Sequence, residues 1–134
     1  MKKFYSLFVL ASWFCALTYV GQVALTTSPY IQDFNSISSG LPTGWTVRTG
    51  ATGIALGTTG TFVTTNTAWN STTGNFRNVA SASGLTSTAT TTDQGNSTNR
   101  ALAVRQTGTL GDPGAAFVLQ LANTTGFTNF SIEF

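Results

Sequence analysis

RALAVRQ, residues 100–106, is the stretch that decides the fold class, because its side chains alternate strictly between two faces. Leu102 and Val104 lie on one face of the predicted strand. The other face carries Ala101, Ala103 and Arg105. A period of two residues is typical of a β-strand, whereas an amphipathic helix repeats every 3.6 residues. No segment after residue 24 has a convincing helical period, so the sequence predicts an all-β fold.

Two further strands are predicted downstream of this stretch. Residues 115–121 place apolar side chains on both faces, which is typical of a central strand that is covered on both sides. Residues 127–134 alternate instead, with Phe130, Ile132 and Phe134 separated by polar residues. This second pattern indicates a strand that buries one face only.

Short strand-like segments, separated by turn-forming residues, also precede the stretch. They are residues 30–34, 45–48, 61–64 and 76–79. Trp45 and Val47 share a face of their segment, so we interpret Trp45 as a core anchor. Many short strands with turns between them are typical of an antiparallel β-sandwich or barrel. Aromatic residues recur among the threonines, which favours dense β structure over disorder.

The first residues have the parts of a secretory signal peptide. Lys2 and Lys3 give a positive start, residues 7–20 form an almost unbroken apolar run, and the composition then changes to Thr, Ser and Pro. A retained membrane anchor is the alternative, but a spanning helix needs about 20 apolar residues. We therefore predict a signal helix that is cleaved between residues 20 and 24. The protein is then expected to be extracellular, either secreted or on the cell surface.

Cleavage divides the chain into a signal peptide, residues 1–24, and a β-sandwich module, residues 25–134. The leader takes Cys15 and both lysines with it, so the module has no thiol, no disulfide and no predicted membrane span. The remaining arginines balance the acidic residues in number: Arg48, Arg77, Arg100 and Arg105 against Asp33, Asp93, Asp112 and Glu133. Clustered basic residues are missing, so nucleic acid is not an expected partner.

The module has little catalytic equipment. The chain contains no histidine, which excludes triads and metal sites built on that residue. It also has no glycine-rich phosphate loop that ends in a Lys-Ser/Thr pair. The four carboxylates form no recognisable pair for glycoside hydrolysis. We therefore predict that residues 25–134 are not an enzyme.

Calcium is the one cofactor for which the sequence offers ligands. Asp33 and Asp93, the latter in a predicted loop at residues 93–96, are candidate ligands, because calcium prefers carboxylate and carbonyl oxygens. The favoured alternative is ordinary turn formation, since Asp, Asn and Gly all stabilise turns through local hydrogen bonds or left-handed backbone.

Trp69 is the candidate ligand-binding residue. It stands in a polar stretch, residues 67–72, where a flat aromatic ring beside hydroxyl and amide groups can stack on a sugar. Packing of Trp69 under a loop is the alternative.

Arg100 has two candidate roles, either an ion pair with Asp112 or Asp93, or a solvated charge at the rim of the fold.

Several segments together resemble a family of secreted β-sandwich modules of Gram-negative bacteria. The matching pieces, in order, are QDFN (32–35), LPTGW (41–45), NRAL (99–102), GAAF (114–117) and NTTGF (123–127). The resemblance implies a jelly roll of the lectin/glucanase kind without catalytic residues. It also implies a position just after the signal peptide of a larger adhesion-type or nuclease-containing protein with a type IX sorting tail. The sandwich is then expected to continue beyond residue 134, so that this chain is a fragment.

The leading functional hypothesis is a non-catalytic module that binds glycans or serves adhesion, with a polysaccharide as partner. One alternative is a structural spacer that positions other domains of the same chain. The other is that these residues begin a secreted enzyme, a nuclease or glycosidase, whose catalytic domain lies beyond residue 134.

Overall fold

A computed structural model describes residues 21–81 and 85–134. The predicted leader falls mainly on residues 1–20, outside the described part, so the signal helix is not tested by the structure. The described elements, in chain order, are a 3-10 helix at Ile37–Ser39, β1 at Trp45–Thr49, β2 at Thr58–Thr59, β3 at Phe62–Val63, β4 at Asn75–Ala80, α1 at Thr91–Asn96, β5 at Arg100–Arg105 and β6 at Ala116–Leu119. The prediction of an all-β fold is confirmed, because most of the described regular structure is strand and the described helices are short.

One sheet contains β1 between β2 and β6, and both pairings are antiparallel. Val47 of β1 faces Phe117 of β6 across the ladder. The predicted strand at residues 115–121 therefore forms, but it lies at the edge of this sheet, and the central strand is β1. The double-sided apolar pattern indicated a central position incorrectly: Phe117 stays 42% exposed.

The other described sheet has the order β3-β4-β5 and is mixed, since β3 runs parallel to β4 and β5 runs antiparallel to it. Its register separates two faces. The inner face pairs Phe76 with Val104, Asn78 with Leu102 and Ala80 with Arg100. The outer face pairs Asn75 with Arg105, Arg77 with Ala103 and Val79 with Ala101. The two faces predicted for RALAVRQ are those that the ladder forms.

Residues 30–34 do not form the strand that the sequence predicted. Phe34 has a φ of 57°, a left-handed conformation that ends any extended segment. Asp33 accepts hydrogen bonds from the backbone and the side-chain amide of Asn35, at 3.1 and 3.2 Å. This local turn leads into the 3-10 helix, whose Ile37 is fully buried.

Residues 127–134 also remain outside any described strand, although their alternation is clear. Asn129 has a φ of 58°, so the backbone turns in the middle of the segment. Alternation alone does not make a strand, because each strand needs a partner for its backbone groups. Phe130, Ile132 and Phe134 are exposed as a result.

The core lies where the two sheets meet. Ile37, Val47 and Phe76 are at most 1% exposed, and Phe76 contacts Phe117 of the first sheet edge to face, with ring centroids 5.8 Å apart. Trp45 packs edge-on against Phe34 at 4.8 Å, and its Nε1 donates to the Tyr30 hydroxyl at 3.2 Å. This contact agrees with a packing role for Trp45.

Helix α1 occupies the segment that the sequence assigned to a loop. Thr90 caps it: the Thr90 hydroxyl accepts from the Asp93 amide, and the Asp93 carboxylate accepts from the Thr90 amide. This reciprocal pair satisfies backbone donors that a helix leaves open at its start. The helix is too short for a hydrophobic period to be visible in the sequence. Among the described residues, no helix has the length and apolar character needed to cross a membrane.

Candidate functional site

Arg100 lies at the centre of a buried polar cluster. It is the first residue of β5, and its side chain points to the inner face, where only 7% of the residue stays exposed. Its Nε donates to Asn78 Oδ1 at 2.7 Å, and one terminal nitrogen donates to Asn66 Oδ1 at 2.6 Å. The other terminal nitrogen donates to the carbonyl oxygens of Gln94 and Ser97. We call these residues the Arg100 cluster.

The acceptors of the Arg100 cluster are themselves held in place. Asn78 Nδ2 donates to the Thr64 carbonyl at 2.9 Å, and the Ala80 amide donates to Gln94 Oε1 at 2.7 Å. The Arg100 amide donates to Asn35 Oδ1 at 2.9 Å. The Arg100 side chain therefore links β5 to β4, to helix α1 and to the loop at Asn66, and its backbone amide adds the loop before the 3-10 helix.

Both sequence-based interpretations of Arg100 are wrong. The acceptors of its guanidinium in residues 21–81 and 85–134 are all neutral oxygens, so Asp93 and Asp112 do not pair with it. Burial excludes a solvated position at the rim. It also lowers the pKa of Arg100, because desolvation penalises the charged form. Arginine nevertheless stays protonated in proteins, so the cluster has a structural role and no acid-base chemistry.

Trp69 lies on a loop that crosses the outer face of the second sheet. Its side chain is 48% exposed, so it does not pack under the loop as the alternative interpretation proposed. Its backbone is fixed, because the Trp69 amide donates to the Ala89 carbonyl at 2.9 Å and the Ser71 amide donates to the Ala68 carbonyl at 3.1 Å. The ring is thus accessible, and its backbone is hydrogen-bonded to a neighbouring loop.

Arg77 holds the same loop against the sheet through hydrogen bonds. It is only 5% exposed, although it stands on the outer face of β4. Its guanidinium donates to Asn75 Oδ1 at 2.5 Å and to the carbonyl oxygens of Ser71 and Thr73. Burial lowers the pKa of Arg77, and the positive charge of Arg105 lowers it further. The guanidinium groups of Arg77 and Arg105 are therefore close enough on this face to repel each other.

A shallow pocket of about 200 Å³ opens beside the Trp69 ring. We call it the Trp69 pocket. Its lining residues are Ala68, Trp69, Arg77, Val79, Ala103, Val104 and Arg105. Ala68, Val79 and Ala103 supply the small apolar floor, Trp69 supplies an aromatic wall, and Arg77 and Arg105 complete the lining; the Val104 side chain belongs to the inner face. Such a surface can hold a flat, partly apolar ligand and direct its polar groups.

The two candidate calcium ligands are both engaged locally. Asp33 accepts from Asn35, as described above, and Asp93 accepts from the Thr90 amide and hydroxyl, each at 2.7 Å. These bonds, first that from the Thr90 amide, lower the pKa of Asp93. Within the described ranges, no three acidic, histidine or cysteine side chains converge. Calcium binding stays a prediction; turn formation accounts for Asp33, whereas Asp93 caps helix α1.

Sequence reasoning found Trp69 but missed Arg77 and Arg105 as its neighbours. The alternation of RALAVRQ already placed Arg105 on the face of Ala103. Arg77 has the same parity as Val79 in its own segment. The sequence does not contain the register of β4 against β5. That register places Arg77 and Arg105 on the same face of the sheet.

Comparisons with protein-family models, with curated proteins and with solved structures each find no match to this chain. The candidate site therefore has to be interpreted from its own geometry.

Proposed function

We propose that this chain is a non-catalytic β-sandwich module that binds glycans through the Trp69 pocket. The observation that carries the proposal is an aromatic ring, nearly half exposed, on a loop whose backbone is anchored to Ala89. An exposed ring that is held in place can stack on the apolar face of a sugar at a small cost in conformational entropy. Hydroxyl and amide side chains at residues 67–72 supply hydrogen-bonding groups around it.

The proposal includes the jelly-roll type of fold, a bacterial origin and export through a cleaved leader. Contact between the two sheets at Phe76 and Phe117 supports a sandwich. The resemblance in residues 32–127 supports a secreted or surface-attached protein with further domains. The lack of histidine supports a binding role over a catalytic one for this segment.

Trp69→Ala is expected to weaken polysaccharide binding about fivefold or more, because a ring stacked on one aromatic side chain contributes on the order of 1–3 kcal/mol where bases are stacked in this way. Affinity gel electrophoresis on a panel of soluble polysaccharides measures this. Phe130→Ala is the matched control, since Phe130 is also an exposed aromatic residue, at 61%, and lies outside the Trp69 pocket. Circular dichroism verifies that both variants fold. The proposal is wrong if no polysaccharide retards the unsubstituted protein, or if the Trp69 variant binds as tightly.

Val23 narrows the expected cleavage position. Its amide donates to the Gln120 carbonyl at 2.9 Å, and its carbonyl accepts from the Ala122 amide at 2.8 Å, so it extends the first sheet next to the end of β6. A cut after residue 23 or 24 would remove this bridge. We therefore expect N-terminal sequencing of the exported protein to begin at Gly21, Gln22 or Val23. A sequence that begins at Leu25 would contradict this expectation.

A further inference from the structure

We propose that the Trp69 pocket selects anionic sugars, in which a carboxylate or sulfate group accompanies the sugar ring. This inference rests on the proposed function, since it names the class of glycan that the pocket would take. Its physical basis is a local excess of positive charge beside the aromatic wall.

The pocket is basic although the module is neutral. The chain's arginines are Arg48, Arg77, Arg100 and Arg105, and two of them line this one pocket. None of the pocket's described lining residues is acidic. A cleft lined by charge of one sign concentrates ligands of the opposite sign.

The strand register keeps the two arginines together. Arg77 stands opposite Ala103, and Arg105 stands opposite Asn75, so the arginines occupy diagonal positions on one face. Diagonal neighbours in an antiparallel pair lie about 7–8 Å apart at the backbone, within reach of long side chains. An anion near both groups would relieve the repulsion by which Arg105 lowers the pKa of Arg77.

The two arginines contribute in different ways. Arg77 is occupied by the neutral oxygens of Ser71, Thr73 and Asn75, so it positions the loop while its charge stays uncompensated. Arg105 is exposed and has no hydrogen-bond acceptor in residues 21–81 and 85–134. Its planar guanidinium can therefore take a carboxylate or sulfate through two parallel hydrogen bonds.

The aromatic wall favours an acidic sugar over other anions. A small free anion would leave the Trp69 ring and the alanine and valine floor uncovered. A nucleic acid is bound through a stripe of many basic groups, which a pair of arginines on a neutral module does not provide. A sugar with one anionic substituent fits both the apolar and the charged part of the pocket.

The experiment compares three polysaccharides, single-stranded DNA and three substitutions by affinity gel electrophoresis of the whole chain. Polygalacturonate carries carboxylates, dextran sulfate carries sulfates, and dextran is the neutral counterpart of the latter. We expect tighter binding to one or both acidic polymers than to dextran, and weaker binding at high salt. Arg105→Gln is expected to reduce this binding about fivefold to tenfold. Arg105→Lys is expected to reduce it less, because lysine keeps the charge but cannot form the two parallel hydrogen bonds of a guanidinium. Arg48→Gln removes the same charge from β1 and serves as the control.

The results separate the inference from the proposed function. Equal binding of dextran and the acidic polymers would overturn the inference and leave glycan binding in place. Equal losses for Arg105→Gln and Arg48→Gln would also overturn it, because only net charge would then matter. Tighter binding of single-stranded DNA than of either acidic polymer would assign the pocket to nucleic acid. Failure of all polymers to bind would overturn both proposals.

Discussion

Replacing Arg100 by methionine is expected to lower the free energy of unfolding by about 3–5 kcal/mol, the largest effect of any change in the buried polar region. The methionine side chain keeps much of the apolar stem and removes every donor. It leaves Asn78 Oδ1, Asn66 Oδ1 and the carbonyls of Gln94 and Ser97 without their partner.

Two opposing terms decide the sign of this effect. Burial of the guanidinium costs free energy, as the lowered pKa of Arg100 indicates, and the substitution recovers that cost. Each buried acceptor that loses its donor costs about 1–3 kcal/mol, and there are several of them around one side chain. The orphaned acceptors outweigh the recovered desolvation, because Asn78 and Gln94 remain buried and Asn66 and Ser97 remain half-buried.

Urea unfolding followed by circular dichroism measures the change. Arg100→Lys is the informative second variant, since it keeps the charge but cannot reach acceptors on several sides at once, and it should lose much of the same stability. Arg105→Met, on the exposed end of the same strand, is the control and should stay within about 0.5 kcal/mol of the unsubstituted protein. A loss below about 1 kcal/mol for Arg100→Met would show that the Arg100 cluster does not stabilise the fold.

Phe76→Ala is expected to cost about 3–5 kcal/mol, through lost burial and the cavity that remains. Phe76 is 0% exposed, and its ring contacts Phe117 across the two sheets. The ring also packs directly against the backbone at Gly60, where an added Cβ would stand only 3.0 Å from it. A domain of this size has about 5–15 kcal/mol of stability, and the variant therefore loses a large share.

Thermal and urea unfolding measure the stability lost in the Phe76→Ala protein. Phe130→Ala is the matched control, because Phe130 is 61% exposed and should contribute within about 0.5 kcal/mol. If the Phe76 variant is too unstable to purify, Phe76→Leu supplies the comparison, with a smaller expected loss. Equal stability of the Phe76→Ala and Phe130→Ala proteins would mean that the contact between the sheets does not form the core.

Local sequence patterns predicted correctly those strands that also find a neighbouring strand to pair with. RALAVRQ, residues 45–48 and residues 76–79 each lie in a strand of the structure, and the two faces of β5 agree with its sequence. Residues 30–34 and 127–134 have equally suggestive composition, yet neither forms a strand: a left-handed residue ends the first at Phe34 and interrupts the second at Asn129. A backbone turn of this kind depends on nearby hydrogen bonds and packing, which a period-two pattern does not contain.

The candidate site was predictable only in part. Trp69 could be selected because an aromatic residue stands among hydroxyl and amide groups. Its arginine neighbours come from other strands, and their proximity depends on a register that links residues 25 or more positions apart. Similarly, Arg100 was expected to be paired with a carboxylate or solvated, because a lone arginine in a sequence gives no indication of several neutral oxygens around it.

The sequence by itself determined the β class of the fold, the two faces of RALAVRQ, the scarcity of catalytic side chains and the choice of Trp69. These follow from composition and from short-range periodicity, which are properties of neighbouring residues. The tertiary structure alone decided that β6 lies at a sheet edge, that Arg100 is buried among neutral acceptors and that Arg77 and Arg105 share a pocket with Trp69. Burial, strand order and register are set by contacts between distant segments, and no local pattern encodes which segments will meet.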